Sequence, residues 1–389
     1  MTSPRAGSAS PHADGAVIIA ATLGEYSLLI MPFIVTAMMT RYGLSEGAAG
    51  NLVSAQLVAM GVAGFAVSRL LGRIPAWLMA GSSAATIVLA NALCALATSP
   101  VMLTAGRALT GLGEGVLMAS AGAMAAGLAH AHRLYSRLGF VIASVAAVAL
   151  LITPYLTQHV GPQAVFWFLA ACPALVVVSL RWLPRHAAIV PHSPTDGALR
   201  IPGAVALLVS FALLWVGASG LWVFAELIGQ TNGLSSAEIG LYLAIGQVAG
   251  IAGPVLAARY AERFGLRRSI MAGNATMAVA GLTMVLGHSA LSYSLGSSFL
   301  SIAIMFLAPC YRSLMAHLDA SGRVVAMSVG FYTVGFAAAP LLVGVIHQGG
   351  SSYGDVATLS VCAFALSGLL IAFPTARRDA AAAVGTRQP

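Results

Sequence analysis

The chain contains no lysine, and only 8% of its 389 residues carry a charge. Soluble domains carry about 25% charged residues, so an ordinary water-facing surface is excluded over most of the length. Four cysteines, Cys94, Cys172, Cys310 and Cys362, stand far apart without C-x-x-C spacing, which removes a dithiol or zinc motif and leaves core thiols. Histidines approach one another closely at His130-Ala-His132, and without a third ligand that pair does not make a metal site. Glycine-rich phosphate loops and dinucleotide fingerprints are missing as well, so neither an ATP-driven pump nor a cofactor is expected.

What fills the chain instead is apolar residue, 59% of the total, gathered into long uncharged runs. No charged side chain falls between Arg73 and Arg107, Arg137 and Arg181, Arg268 and Arg312, or Arg323 and Asp355. A bilayer-crossing helix needs about 20 apolar residues, fewer than any of these intervals holds. Unpaired backbone groups are intolerable in hydrocarbon, so spans are helices or closed barrels, and the alternation of a barrel strand is missing. The fold class is therefore an all-α membrane protein with twelve transmembrane helices. They are expected at residues 16–39, 48–67, 75–97, 100–128, 138–158, 163–183, 204–227, 237–257, 269–288, 291–315, 325–346 and 354–374. The polar segment 1–14 reads as a disordered tail, and the apolar run after it is too long for a signal-peptide core.

All 19 basic residues are arginine. With both termini in the cytoplasm, every arginine except Arg41 and Arg107 falls in or beside a cytoplasmic tail or loop, as the positive-inside rule asks. The net charge of +8 is then topogenic, and no nucleic-acid partner is needed to explain it. The expected location is the plasma membrane, the inner one in a bacterium, crossed many times.

An internal repeat organises the chain. Residues 43–73 and 233–263 are offset by 190 (233 − 43), and Gly43, Leu44, Ser45, Gly50, Val58, Ala59, Arg69 and Arg73 all have identical counterparts in the second copy. The repeat falls on the second and eighth spans with the loops that follow them, as two parallel sets of six require. The expected organisation is a tail at 1–14, bundles at 15–183 and 201–376, a cytoplasmic linker at 184–200, and a disordered tail at 377–389.

Two six-helix bundles joined by such a linker resemble the major facilitator superfamily. Ala258-Arg-Tyr-Ala-Glu262-Arg263-Phe-Gly265-Leu-Arg267-Arg268 is similar to that family's loop signature G-x-x-x-D-R-x-G-R-R, with Glu for Asp. The first-half copy, Gly64 to Arg73, has Ser68 where the acid belongs. The resemblance implies a gating role for Arg69, Arg73, Glu262, Arg263, Gly265 and Arg267. Arg107-Ala-Leu-Thr-Gly111-Leu-Gly113 in the fourth span fits the run R-x-x-x-G-x-G carried by proton-coupled members. The fifth span lacks the Gly-Pro antiporter signature and offers Thr153-Pro154 alone.

Arg107 and Glu114 are seven residues apart, nearly two helical turns, so they share one face of their helix. Gly111 and Gly115 give that helix a small-xxx-small spacing suited to close packing. A charge at the centre of a spanning helix costs about 2.5–3.5 kcal/mol even on lenient scales, and Glu25 in the first span bears the same penalty. Burial favours a neutral carboxyl and a nearby guanidinium favours the ionised form, a competition that makes a switchable proton carrier. The resemblance places the first, fourth, seventh and tenth spans around a central cavity, which makes Glu25, Arg107 and Glu114 the candidate proton-coupling groups. Tyr26, Gln56, Trp215, Trp222, Glu226, Gln247, Phe306, Phe331 and Tyr332 are the candidate cavity residues, although Glu226 sits near the outer end of its span and reads equally as an interface residue.

The function implied is secondary transport of a small organic solute by alternating access, coupled to protons and leaning toward export. Uptake of an organic acid and uncoupled facilitation are the alternatives within that class. A membrane-embedded enzyme or a non-transporting sensor belongs to other classes, and the scattered set Glu25, Arg107 and Glu114 argues against the enzyme. The expected partners are a small-molecule solute, protons and the lipid bilayer.

Overall fold

A computed structural model describes residues 11–68, 70, 73–126, 128, 131–184, 197–319, 321–347 and 353–385, and the chain divides into two compact units at residues 191/192. In the first unit the opening span is three helical pieces, α1 (Pro11–Gly24), α2 (Tyr26–Leu29) and α3 (Met31–Tyr42). The second to fifth spans are α4 (Glu46–Ser68), α5 (Ala76–Leu96), α6 (Pro100–Ala126) and α7 (Ala131–Val160). The sixth is α8 (Ala164–Ala171) and α9 (Ala174–Ser179), parted at Cys172-Pro173. The second unit opens with α10 (Ala204–Val223) and α11 (Ala225–Thr231), then α12 (Ser236–Gly250) and α13 (Ala252–Phe264). It closes with α14 (Leu266–Leu286), α15 (Ala290–Leu318), α16 (Arg323–His347) and α17 (Tyr353–Gly385).

Among the described residues 11 helical runs are long and apolar enough to cross a membrane, and the first span supplies a shorter one, His12–Gly24. The continuous first helix expected over 16–39 is therefore corrected, because backbone torsions leave the helical range at Glu25 (φ −109°, ψ 3°) and Ile30 (φ −119°, ψ 21°). Pro32 explains the second interruption, since it has no N–H to offer the Leu28 carbonyl one turn back. Pro254 does the same beside the break at Ile251, and Pro173 beside the break in the sixth span. Helix begins at Pro11 and runs on to Gly385, further toward both ends than the bundle limits of 15 and 376 read from hydropathy. Alanine-rich sequence after Arg378 has high helix propensity without needing a buried face.

The repeat is visible in the helices themselves. α12, α14 and α15 begin at 236, 266 and 290, each 190 residues after the starts of α4, α5 and α6 at 46, 76 and 100. Packing repeats too: the second and fourth, third and fourth, first and fifth, third and sixth, and first and sixth spans touch in one unit, and their equivalents touch in the other. The shared Gly-Leu-Ser is a turn and cap, with Gly43 at φ 60° and Gly233 at φ 79°, both in the left-handed region. Ser45 then accepts from the Ala48 N–H (3.3 Å), and Ser235 from the Glu238 N–H (3.3 Å). The start of α16 is capped by Asp319, which accepts from the Val324 N–H at 3.2 Å. The Ser321 hydroxyl, followed by that backbone bond, holds the Asp319 carboxyl below the ordinary carboxylate range.

Candidate functional site

On α6 the stripe Arg107, Gly111, Glu114 and Gly115 faces α4. A Cβ on Gly111 would run into the carbonyl oxygen of Gln56, and one on Gly115 into that of Met60. Positions 56 and 60 on α4 therefore lie level with 111 and 115 on α6, two parallel helices meeting backbone to backbone. Gly113 points elsewhere, toward Ser83 and Ile87 of α5, so α6 is thinned on two faces.

That register puts Gln56 midway between the two charges. Arg107 donates to Gln56 Oε1 through one terminal nitrogen and to Asn91 Oδ1 (3.4 Å) through the other. Gln56 Nε2 donates to Glu114 Oε2 (2.9 Å) and to Ser27 Oγ (2.7 Å). Asn91 is held in turn by donating to the Ile87 carbonyl at 2.9 Å. Arg107 is 0% exposed and Glu114 1%, so the network is enclosed between α2, α4, α5 and α6. One hydrogen-bonding atom in it has no acceptor, the Arg107 Nε.

The arrangement agrees with the shared face expected of Arg107 and Glu114, and it gives Gln56, first grouped with the cavity residues, the place between them. Glu25 is half-buried at the break between α1 and α2. Tyr26 is buried with its ring edge-on to Phe168 of α8 at 5.7 Å, a packing contact inside the first unit. Ser27 and Asn91 were missed, because a lone Ser or Asn in an apolar run gives no signal until a partner helix is placed beside it.

In the second unit the candidates divide. Trp215 and Tyr332 do meet, with ring centroids 4.5 Å apart, and Phe336 and Phe211 complete the aromatic group at 5.9 and 6.2 Å from Trp215. The Trp215 indole N–H is buried there without an acceptor. Phe306 packs instead against Tyr260 at 6.2 Å, while Trp222, Gln247 and Phe331 are half-buried on their own helices. Glu226, read equally as a cavity or an interface residue, is 3% exposed, and its Oε1 accepts from Ser236 Oγ (2.7 Å) and Gln230 Nε2 (3.4 Å). The amide comes from the next turn of α11 and the hydroxyl from the start of α12.

Positions equivalent to the charged network, counted at the same offset of 190, are Ser297 for Arg107, Ile304 for Glu114, Gly246 for Gln56, Gly281 for Asn91 and Gly217 for Ser27. The close seam survives with its glycines moved to the other helix, where a Cβ on Gly246 would lie 3.1 Å from the Ser297 carbonyl oxygen. The second unit has its own neutral polar core. Ser210 Oγ donates to the Ser367 carbonyl and Ser367 Oγ to the Ser210 carbonyl, both at 2.8 Å, while the Tyr311 hydroxyl sits 2.7 Å from each Oγ. The single Tyr311 proton can serve one serine oxygen at a time, and the hydroxyl also accepts from Asn274 Nδ2 at 3.3 Å, so it sits at the centre of the cluster. Tyr311→Phe is therefore expected to cost about 0.6–1.7 kcal/mol, the range of interhelical hydrogen bonds in membranes. A lowered thermal midpoint in detergent with unchanged transport checks it; an unchanged midpoint would refute it.

Of the expected gating residues, Glu262 and Arg263 are exposed at the end of α13, and the Arg263 guanidinium lies 5.2 Å from the Phe264 ring centroid. Gly265 joins α13 to α14 as a single residue at φ 82°, ψ 155°, a conformation that side chains resist, which explains its place in the signature. Arg267 follows in the first turn of α14 and Arg73 is exposed, while Arg69 and His130 lie outside the described residues.

Residues 16–316 match the model of the Major Facilitator Superfamily, and the chain belongs to that family of membrane transporters. Among solved structures it is similar to a D-xylose-proton symporter, with a TM-score of 0.77 at 15% identity over 92% of this chain and 96% of that one. It is also similar to the nucleoside transporter NupG, with a TM-score of 0.72 at 12% identity over 94% and 98% of the two chains. No curated protein matches it in sequence.

Proposed function

We propose that the protein is a proton-coupled secondary transporter of a small, uncharged, oxygen-rich solute, and that Glu114 carries the proton. The observation that carries the reading is the enclosed network in which Gln56 joins Arg107 to Glu114. An ionisable pair inside a spanning bundle is costly to keep, so a role that changes its charge is the economical explanation. Arg107 compensates the ionised carboxyl, and taking up a proton leaves the guanidinium in need of another acceptor. Trp215 adds an unpaired N–H within an aromatic group, a surface suited to one oxygen and one apolar face of a sugar- or nucleoside-like ring. The two solved relatives, a D-xylose-proton symporter and a nucleoside transporter, favour co-transport of solute and proton over the export suggested by resemblance alone. Both six-span units take part by alternating access, the mechanism of the family.

Purified protein in liposomes with an internal pH dye provides the test. Pentoses, nucleosides and organic acids, preselected by thermal shift with Arg107→Ala as control, are added outside. Internal acidification with one of the uncharged solutes is expected. Solute uptake that moves no proton would sink the coupling, and acidification with organic acids alone would sink the solute class.

A further inference from the structure

We propose that the Gln56 side chain is a positioning element whose amide polarity transmits the protonation of Glu114 to Arg107. The inference rests on the reading of Glu114 as proton carrier and adds the path by which its charge is felt. An amide has one accepting end and one donating end, and here each faces the charge it suits. Oε1 meets the guanidinium, and Nε2 meets the carboxylate and Ser27 Oγ, so both amide protons are used. Turned over, the same group would set N–H against N–H at Arg107 and oxygen against oxygen at Glu114. The two charges therefore fix its orientation, and its orientation reports on them.

With Glu114 ionised, the network sums to zero charge. Adding a proton to the carboxylate makes the sum +1, with Arg107 as its only cation. The bond from Gln56 to Glu114 then changes from charge-assisted to neutral, which roughly halves its strength. Gln56 is held less firmly at that end, and so is its oxygen on Arg107, whose Nε already lacks an acceptor. Among the described groups, Glu114 is faced by Arg107, by Gln56 from α4 and by Ser27 from α2. Arg107 is faced by Gln56, by Asn91 and by the Cys94 thiol from α5. The described acids on the helices packed around α6 are Asp14 in the first turn of α1 and Glu46 at the start of α4, and Glu25 lies between α1 and α2. Gly24 beside Glu25 rests on Met118, a full turn of α6 beyond Glu114.

The interaction is absent from the second unit, where glycine stands at the position equivalent to Gln56 and isoleucine at that of Glu114. A bridge needed merely to hold two parallel spans together would be expected in both seams. The seam there closes without it.

Infrared difference spectroscopy on the full-length protein in lipid, stepped in pH without any solute, reads both ends of the link. A carboxylic-acid band lost in Glu114→Gln identifies the proton, and a guanidinium band lost in Arg107→Lys identifies the cation. In the native protein both bands are expected to change over one pH range. In Gln56→Leu the carboxyl band should persist while the guanidinium response is lost. A structural role would not separate the two. Should Gln56→Leu fail to fold, the exchange variant Gln56→Glu with Glu114→Gln keeps one acid and one guanidinium in the same volume. There the guanidinium band should follow the acid directly. If no carboxyl band disappears in Glu114→Gln, the proton-carrier reading fails. If that band exists but the guanidinium follows it unchanged in Gln56→Leu, the reading stands and the amide link falls, the electric field alone being sufficient. A silent guanidinium in the exchange variant would overturn the link as well.

Discussion

Gly111→Ala, the addition of one methyl group, is expected to lower the thermal midpoint of the protein and to abolish transport, while Gly122→Ala on the same helix leaves both unharmed. The contrast follows from what each Cβ would meet. At Gly111 it is the carbonyl oxygen of Gln56, a backbone atom that cannot rotate away, whereas at Gly122 nothing lies within 4 Å. Overpacking costs about 1–3 kcal/mol when side chains can yield, and more is expected where two backbones must part. The helix propensity of alanine over glycine, about 1 kcal/mol, favours both variants and so makes Gly122→Ala the proper control. Parting α4 from α6 also carries Gln56 away from Arg107 and Glu114, which couples the stability loss to function. Differential scanning of the purified protein and a transport assay on the same preparations check the pair. Equal behaviour of the two variants would show that the seam is not tight in the membrane.

The seam also marks the limit of what the sequence could tell. Hydropathy located the spans, and the Gly-Leu-Ser identities announced a repeat whose physical content is a left-handed glycine followed by a helix cap. Spacing alone put Arg107 and Glu114 on one face, because periodicity is a property of a single helix. Their connection through Gln56 is a property of two helices, and it depends on position 56 lying level with 111, which no single sequence states. The surroundings of Glu226 were illegible for a related reason. Its depth in the span suggested water, but the donors that enclose it come from the next turn of its helix and from the start of α12. The interruptions of the first span were legible at Pro32 and less so at Glu25, where a charge in an apolar run drew attention to chemistry before backbone.

The two acids proposed for the proton in the first unit, Glu114 and Glu25, should part company under substitution. Glu114→Gln is expected to reduce pH-driven solute accumulation to the level of protein-free liposomes while exchange of solute across a membrane at equal pH continues. Glutamine keeps the volume and can still accept from Gln56 Nε2, so folding is retained, but it cannot take up or release a proton. The site is then held permanently in a form resembling the protonated one, which permits exchange and forbids coupling. Glu25→Gln should weaken accumulation less, because Glu25 lies at a helix interruption, half-buried and outside the hydrogen bonds that join Gln56 to Arg107. The measurement is labelled-solute uptake under an imposed pH gradient beside counterflow, with both variants and the native protein at matched protein-to-lipid ratio. A reversed ranking would transfer the proton to the first span and leave the Arg107–Gln56–Glu114 network a structural one. Loss of counterflow along with accumulation in Glu114→Gln would say instead that the carboxylate is needed for the solute or the conformational change itself.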